Sequence, residues 1–281
     1  MSNNKDKIDT FKSPKPNSAA KPGISDKPTA ATTNKVEKKT VKIDEGEPVE
    51  DVEYQGPPVS RFVTDLFRTI AIEESDIERM RQELAQTRDF DPRVLFERID
   101  LSRDSNITAE EILKFLSENY VKDTTLAECQ DIIAEFDSNM DGTMAYDEFL
   151  NCFLPAANMS LRDYCIYSKR VTSYYNQQTN LPISVSSMAV RILEREKNMC
   201  RKRNEVRMDL FKNKQHQKLR TFNEISRGQV LITMPDLIVY LENNGFHPRT
   251  SDIEAILRRC DHDADRAFTF EEFNELIDLP G

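Results

Sequence analysis

The chain has 281 residues, of which 31% are charged, and its formal net charge is −10. This acidic balance argues against a nucleic-acid-binding protein and suits cation sites lined by carboxylates. No apolar run approaches the ~18 residues of a transmembrane helix, and the polar start of the chain lacks the apolar core of a signal peptide.

Residues 1–57 are predicted to be a disordered tail. They are rich in proline, lysine and small polar residues and almost lack aromatic side chains. Basic residues prevail from Lys5 to Lys42, and an acidic run follows from Asp44 to Glu53. The tail is either a solvated segment that keeps the protein soluble, or a basic arm that docks on an acidic polymer or membrane surface.

Order is predicted to begin with a domain at residues 58–157. Apolar residues recur at helical spacing from Phe62 to Leu84, and their pattern predicts two successive helices. Asp91 and Pro92 are suited to the N-cap and the first turn of the next helix. A capping box, Thr-Leu-Ala-Glu at 125–128, predicts the start of a further helix in this domain.

Two twelve-residue segments of this domain, 100–111 and 137–148, carry oxygen-bearing side chains at positions one, three, five and twelve. Ca²⁺ requires this spacing because it takes about six to eight oxygens and a bidentate glutamate closes the shell. The predicted ligands, with a backbone carbonyl at position seven, are Asp137, Asn139, Asp141, Thr143 and Glu148 in one segment and Asp100, Ser102, Asp104, Asn106 and Glu111 in the other. Gly142 suits the turn at position six, whereas Ser105 replaces glycine in the first segment and predicts weaker binding there.

Residues 158–220 lack this pattern and are predicted to be a helical connector. Ser160 is expected to cap a short helix, and a long helix without proline or glycine is expected to occupy 183–228. The part from 191 to 220 has eleven Lys or Arg residues against four Asp or Glu.

The apolar stripe of this basic helix repeats every seven residues, but Glu196 and Arg203 stand where a coiled coil requires apolar side chains. Three interpretations stay open. The helix is a solvated connector, a basic amphipathic helix that the acidic lobes grip internally, or an external docking surface for an acidic partner such as tubulin or actin.

The last domain, 221–281, contains a third segment of the same design at 261–272. Its predicted ligands are Asp261, Asp263, Asp265, the carbonyl of Ala267, and Glu272. Arg266 replaces glycine at position six, and a capping box from Ser251 to Glu254 is expected to start the preceding helix. A shortened loop earlier in this domain, 226–231, has no acid before Asp236 and is predicted to bind no ion.

The spacing of the loops predicts how they pair. Position eight of the first two loops is held by Ile107 and Met144, which lie 37 residues apart. Counting back 36 residues from Phe268 in the last loop reaches Ile232, just after the shortened loop. Each of these two pairs is predicted to meet in a short antiparallel bridge.

The loops, their spacing and their apolar flanks resemble the EF-hand family, to which calmodulin and troponin C belong. The resemblance implies an all-α fold with two paired EF-hand lobes, Ca²⁺ as the bound cofactor, and a protein as the binding partner. The organisation is also loosely similar to that of multi-EF-hand proteins of motile cilia and basal bodies, which implies a cytoplasmic, cytoskeletal or ciliary location.

The chain is not expected to be an enzyme, because it has no glycine-rich phosphate loop, nucleophile motif or histidine cluster. The five cysteines form no CxxC motif, so we expect reduced thiols rather than a zinc site or disulfides. Two functions stay open. The chain is either a Ca²⁺-responsive regulator of a dedicated protein partner, or a structural adaptor on a polymer such as microtubules, with Ca²⁺ secondary.

Overall fold

The computed structural model describes residues 58–168, 181–213 and 217–278. Eleven α-helices form in these residues: α1 (Val59–Gln86), α2 (Pro92–Ile99), α3 (Ala109–Glu118), α4 (Leu126–Ala134), α5 (Tyr146–Phe153), α6 (Met159–Asp163), α7 (Ile183–Lys212), α8 (Lys218–Ser226), α9 (Met234–Asn243), α10 (Thr250–Cys260) and α11 (Phe270–Ile277). The strands are β1 (Asn106–Ile107), β2 (Met144–Ala145), β3 (Ile232–Thr233) and β4 (Ala267–Phe268), and a π-helical turn (Tyr164–Ser168) follows α6. The all-α prediction is confirmed, while the tail at 1–57 and the polar stretch at 173–180 lie outside the described residues.

The four short strands join the helix–loop–helix hands into two pairs. β1 and β2 are antiparallel with Ile107 opposite Met144, and β3 and β4 are antiparallel with Ile232 opposite Phe268. Both pairings have the register that the loop spacing predicted. The hand formed by α8 and α9 therefore keeps its pairing role despite its shortened loop.

Helix α1 contributes to the cores of both lobes. Its first half buries Val63, Leu66, Phe67 and Ile70 among the side chains of the C-terminal pair. Its second half buries Ile77, Met80 and Leu84 among those of the N-terminal pair. Each such Leu or Phe stabilises the fold by about 1.5–3 kcal/mol through its removal from water.

The prediction of two helices over this segment is wrong, because α1 is one helix of 28 residues. The four residues before Ile77 are polar, and the stretch from Ile70 to Ile77 includes neither proline nor glycine, so no residue interrupts the backbone hydrogen bonds. The gap in the apolar pattern marks the place where α1 passes from one lobe to the other.

One face of helix α7 is buried, so the helix is more than a solvated connector. It has apolar side chains in both cores, including Ile192 and Leu193 on one side and Leu210 on the other. Glu196 is 0% exposed and Arg203 is 6% exposed. Of the three interpretations of this basic helix, internal binding by the lobes agrees with these contacts.

The uninterrupted helix predicted over 183–228 is also wrong, since α7 ends before Asn213 and α8 begins at Lys218. Leu210 and Phe222 belong to the same core. A straight helix would separate their backbones by about 18 Å along its axis. Burying both side chains in one core stabilises the fold more than continuing one straight helix would.

Local capping predictions were partly right. The side chain of Asp91 accepts a hydrogen bond at the start of α2, and Thr125 and Glu128 form the predicted capping box of α4. The cap assigned to Ser160 is wrong, because Asn158 accepts the hydrogen bond from the amide of Leu161 at 3.0 Å and starts α6.

Candidate metal centres

The three acidic loops share one backbone conformation. Positions four and six have positive φ angles in every loop: Arg103 (61°), Ser105 (73°), Met140 (59°), Gly142 (79°), Ala264 (59°) and Arg266 (68°). A residue other than glycine costs about 1–2 kcal/mol in this left-handed region. The replacement of glycine by Ser105 and Arg266 therefore lowers stability without changing the turn that aims the acidic side chains inward.

In the loop 137–148 the first and last acids both accept hydrogen bonds from backbone amides of the loop. Asp137 accepts a hydrogen bond from the amide of Gly142 at 2.8 Å. Glu148 is 2% exposed, and its two oxygens accept from the amides of Ser138 and Ala145 at 2.7 and 2.9 Å. Both carboxylate oxygens of the closing glutamate are thereby fixed inside the loop.

The middle acid of this loop is held by the residue at position seven. Asp141 Oδ1 accepts from the hydroxyl of Thr143 at 2.6 Å and from its amide at 2.8 Å. These hydrogen bonds lower the pKa of Asp141, so the side chain is kept as a carboxylate. Its other oxygen accepts from the amide nitrogen of Asn139 at 2.9 Å, which places positions three and five side by side.

The loop 261–272 gathers negative charge. One carboxylate oxygen from each of Asp261, Asp263 and Asp265 lies within 4.8 Å of the others. Asp261 Oδ1 is buried without a hydrogen-bond donor among the described residues. Burial raises the pKa of Asp261, and the charges of Glu272 and Asp265 add to the rise. A divalent cation bound by oxygen ligands would satisfy that oxygen and neutralise the repulsion, so these residues fit Ca²⁺.

Glu272 repeats the arrangement of Glu148 at position twelve. Its oxygens accept from the amides of His262 and Thr269, both at 2.9 Å. Burial raises the pKa of Glu272, but the hydrogen bonds from the loop outweigh burial and lower it. The closing acid is therefore oriented in the same way in both lobes.

Arg266 at position six is directed away from the acids of its loop. Its guanidinium donates to both carboxylate oxygens of Glu254 on α10, at 3.2 and 2.6 Å. The capping box predicted from Ser251 to Glu254 is thus wrong. The observed capping box starts two residues earlier, where Asp252 accepts from the amide of Arg249 at 2.8 Å.

The loop 100–111 has the same framework with less charge. Asp100 accepts from the amides of Arg103 and Ser105 at 2.7 and 3.0 Å. Glu111 accepts from the amides of Ser102 and Thr108 at 2.8 and 2.9 Å. Only three carboxylates, those of positions one, five and twelve, are available, because position three is a serine.

The shortened loop between α8 and α9 contains an internal cation instead. Its exit acid, Asp236, lies 3.6 Å from the guanidinium of Arg227 and accepts from Thr233 at the start of α9. No second carboxylate occurs in the sequence between Ser226 and Asp236. This loop therefore lacks the oxygen ligands that Ca²⁺ requires.

The structure brings Asp261, Asp263 and Asp265 together. In the other two loops, side-chain hydrogen bonds join Asn139 to Asp141 and Ser102 to Asp100. The carbonyl residues Asn106, Thr143 and Ala267 lie in or beside the paired strands. Their role as metal ligands stays a prediction. Pattern matching missed the two charged residues that precede loops 137–148 and 261–272, Glu135 and Arg259. Both lie two residues before position one, and both are less than one-fifth exposed.

Comparison with known proteins gives an independent identification of the N-terminal pair. The family model for the EF-hand domain pair matches residues 89–154. Probable calcium-binding protein CML35 of Arabidopsis thaliana is 36% identical over 66 residues, which are 24% of this chain and 31% of that protein. The chain therefore matches less than a third of the length of this relative. Residues 89–154 form an EF-hand pair, and over this region the chain is similar to proteins of the EF-hand superfamily.

Proposed function

We propose that the chain is a Ca²⁺-binding protein whose loops 137–148 and 261–272 each hold one ion. The observation that carries this proposal is the group of Asp261, Asp263 and Asp265, with one buried carboxylate oxygen that lacks a donor among the described residues. Bound Ca²⁺ supplies positive charge to these oxygens. The related loop of the N-terminal pair has the same framework, and the similar Arabidopsis protein is named for calcium binding.

We infer that loop 100–111 binds more weakly than the other two. It presents three carboxylates, and affinity in such loops follows the number of charged ligands and the rigidity of the site. The hand of Arg227 and Asp236 is proposed to bind no Ca²⁺, since a guanidinium already neutralises its acid.

The leading role in this proposal is regulation of a protein partner by Ca²⁺, without catalysis. In responsive EF-hands the ion changes the angle between the two helices of a hand and exposes apolar surface. Here α1 and α7 already contact the apolar faces of both lobes. A response would therefore proceed by movement of the hands against these two helices.

An adaptor role is the second candidate, and the burial of α1 in both lobes favours it. Because one helix, α1, contributes buried side chains to both lobes, the two lobes share a core element without a target. A protein of this kind would bind its partner with or without Ca²⁺. The cytoskeletal or ciliary location, and microtubules as the partner, stay predictions from the organisation of the sequence.

Calorimetric titration of the metal-free full-length chain with Ca²⁺, together with fluorescence of an apolar-surface dye, tests the proposal. Binding at about micromolar affinity with increased dye fluorescence supports regulation. Binding without a change in dye fluorescence supports the adaptor, whose co-sedimentation with microtubules is then measured. If no Ca²⁺ binds at millimolar concentration, the proposed function is wrong. A titration with Mg²⁺ is the control for non-specific cation binding.

A further inference from the structure

The ion loops of the two lobes are connected by the residues that precede them. Glu135 follows α4 and lies two residues before Asp137, and Arg259 lies in the last turn of α10, two residues before Asp261. The guanidinium of Arg259 is 3.4 Å from Glu135 Oε2. It also lies over the ring of Phe136, 5.0 Å from the ring centroid. Arg259, from the C-terminal lobe, therefore contacts both residues that directly precede the loop 137–148.

This contact belongs to a buried group of six charges, which we call the interlobe charge cluster: Glu74, Arg81, Glu135, Glu196, Arg203 and Arg259. Arg259 pairs with Glu196, and Arg81 pairs with the same glutamate at 2.9 Å. Arg203 pairs with Glu135 at 2.6 Å. The six residues come from three helices, α1, α7 and α10, and from the residue directly after α4. Glu78 and Arg258 also pair with members of the cluster.

Buried ion pairs of this kind are sensitive to geometry, because an ion that loses its partner inside a protein has no water to replace it. Residues 135 and 136 cannot move with the N-terminal loop while the pairs stay intact unless Arg259 moves too. Arg259 is separated from Asp261 by one residue of the same helix end. A few covalent bonds and one packed contact thus connect the two loops.

We propose that loops 137–148 and 261–272, although they belong to different lobes, bind Ca²⁺ as a positively coupled pair through the contact of Arg259 with Glu135 and Phe136. This inference rests on the proposed function. The first ion orders the end of one entering helix, and through the cluster it also orders the end of the other. The second ion then binds to a loop that is already positioned. Thermodynamic reciprocity requires that an ion in either loop raise the Ca²⁺ affinity of the other loop by the same factor.

Two backbone amides allow the loops to be observed separately. The amide of Gly142 donates to Asp137, and the amide of Arg266 donates to Asp261 at 2.9 Å. Their NMR shifts during a Ca²⁺ titration report the occupancy of each loop in the full-length chain. In Glu148→Gln, which disables the N-terminal loop, we expect the midpoint of the Arg266 amide to move to at least about fivefold higher Ca²⁺, the lower limit of typical coupling between sites.

The contact is tested by making Glu148→Gln in a chain that already carries Glu135→Gln. In this double variant the Ca²⁺ midpoint of the Arg266 amide is expected to equal that of the Glu135→Gln single variant. Glu118→Gln is the matched control, since Glu118 also accepts from an arginine, Arg98, at 2.6 Å but within the N-terminal lobe. In a chain with Glu118→Gln, Glu148→Gln should still move the Arg266 midpoint to higher Ca²⁺. Phe136→Leu keeps every charge and tests the contact with Arg259 if Glu135→Gln does not fold.

The outcomes separate the two proposals. An Arg266 midpoint that is the same with and without Glu148→Gln, while both amides respond to Ca²⁺, overturns the coupling and leaves Ca²⁺ binding intact. A shift that persists in both Glu135→Gln and Phe136→Leu shows that another route carries the effect and overturns the assigned contact. If neither amide responds to Ca²⁺ in the unmodified chain, the proposed function itself is wrong and the coupling is excluded with it.

Discussion

The guanidinium of Arg227 lies 3.6 Å from the carboxylate of Asp236 in the hand that retains its strand but has a shortened loop. In the other three hands the acid in the corresponding place closes a loop of several oxygen donors. Here a side chain of the protein neutralises the acid, so pairing and ion binding are separated within one hand. The strand contact between Ile232 and Phe268 is kept, while the oxygen ligands are lost.

Replacement of the closing acid should remove one ion site. We expect Glu148→Gln to weaken binding at loop 137–148 by about two orders of magnitude, the spacing between classes of EF-hand affinity, because it removes one charge and one strong oxygen ligand. Calorimetry should find one site fewer. The neighbouring exposed Asp147 provides the control. Asp147→Asn should keep the number of sites, and an undiminished number in Glu148→Gln would refute the assignment of this loop.

Replacement of the exit acid in the shortened loop should leave ion binding unchanged. Asp236→Asn removes the charge beside Arg227 but keeps an oxygen that can accept from Thr233. Calorimetry should give the same number of sites as the unmodified chain. A missing site in this variant would mean that Asp236 is a ligand after all.

Helix α1 should be a shared stabilising element of both lobes. Leu66 is 0% exposed, and we expect Leu66→Ala to lower the free energy of unfolding by about 2–5 kcal/mol, since it leaves a cavity in the C-terminal core. Ile72, on the same helix, is 53% exposed. Ile72→Ala should change stability by less than about 0.5 kcal/mol. Urea unfolding followed by circular dichroism measures both, and equal effects would contradict the position of α1.

The cysteines should be poorly reactive in the folded protein. All five are buried. Burial raises the pKa of Cys129 to about 11 and that of Cys260 to about 12. Because the thiolate is the reactive form, a raised pKa lowers the reactive fraction at neutral pH.

The rate of reaction with a thiol reagent, followed by mass spectrometry, checks this expectation. Labelling at neutral pH should be slow in the native chain and should reach five cysteines after unfolding in guanidinium chloride. Rapid labelling of Cys129 or Cys260 without denaturant would show that these helices open readily.

The ion loops and their partners were predictable because the necessary information is local. Twelve consecutive residues contain every side chain predicted as a ligand of a loop, and the distance from one loop to the next sets which strands meet. Ile107 opposite Met144 and Ile232 opposite Phe268 follow from that distance alone. The left-handed turns at Ser105 and Arg266 also follow, since the rest of each loop requires them despite the missing glycine.

The sequence by itself determined the helical class, the hands and their pairing, because these depend on neighbours within a few tens of residues. Only the tertiary structure decided that α1 is shared by both lobes and that Glu196 and Arg203 are buried. Glu196 pairs with Arg81, 115 residues away, and Arg203 with Glu135, 68 residues away. A charged residue in an apolar pattern is solvated or paired according to which distant helix packs on it, and local periodicity carries no information about that partner.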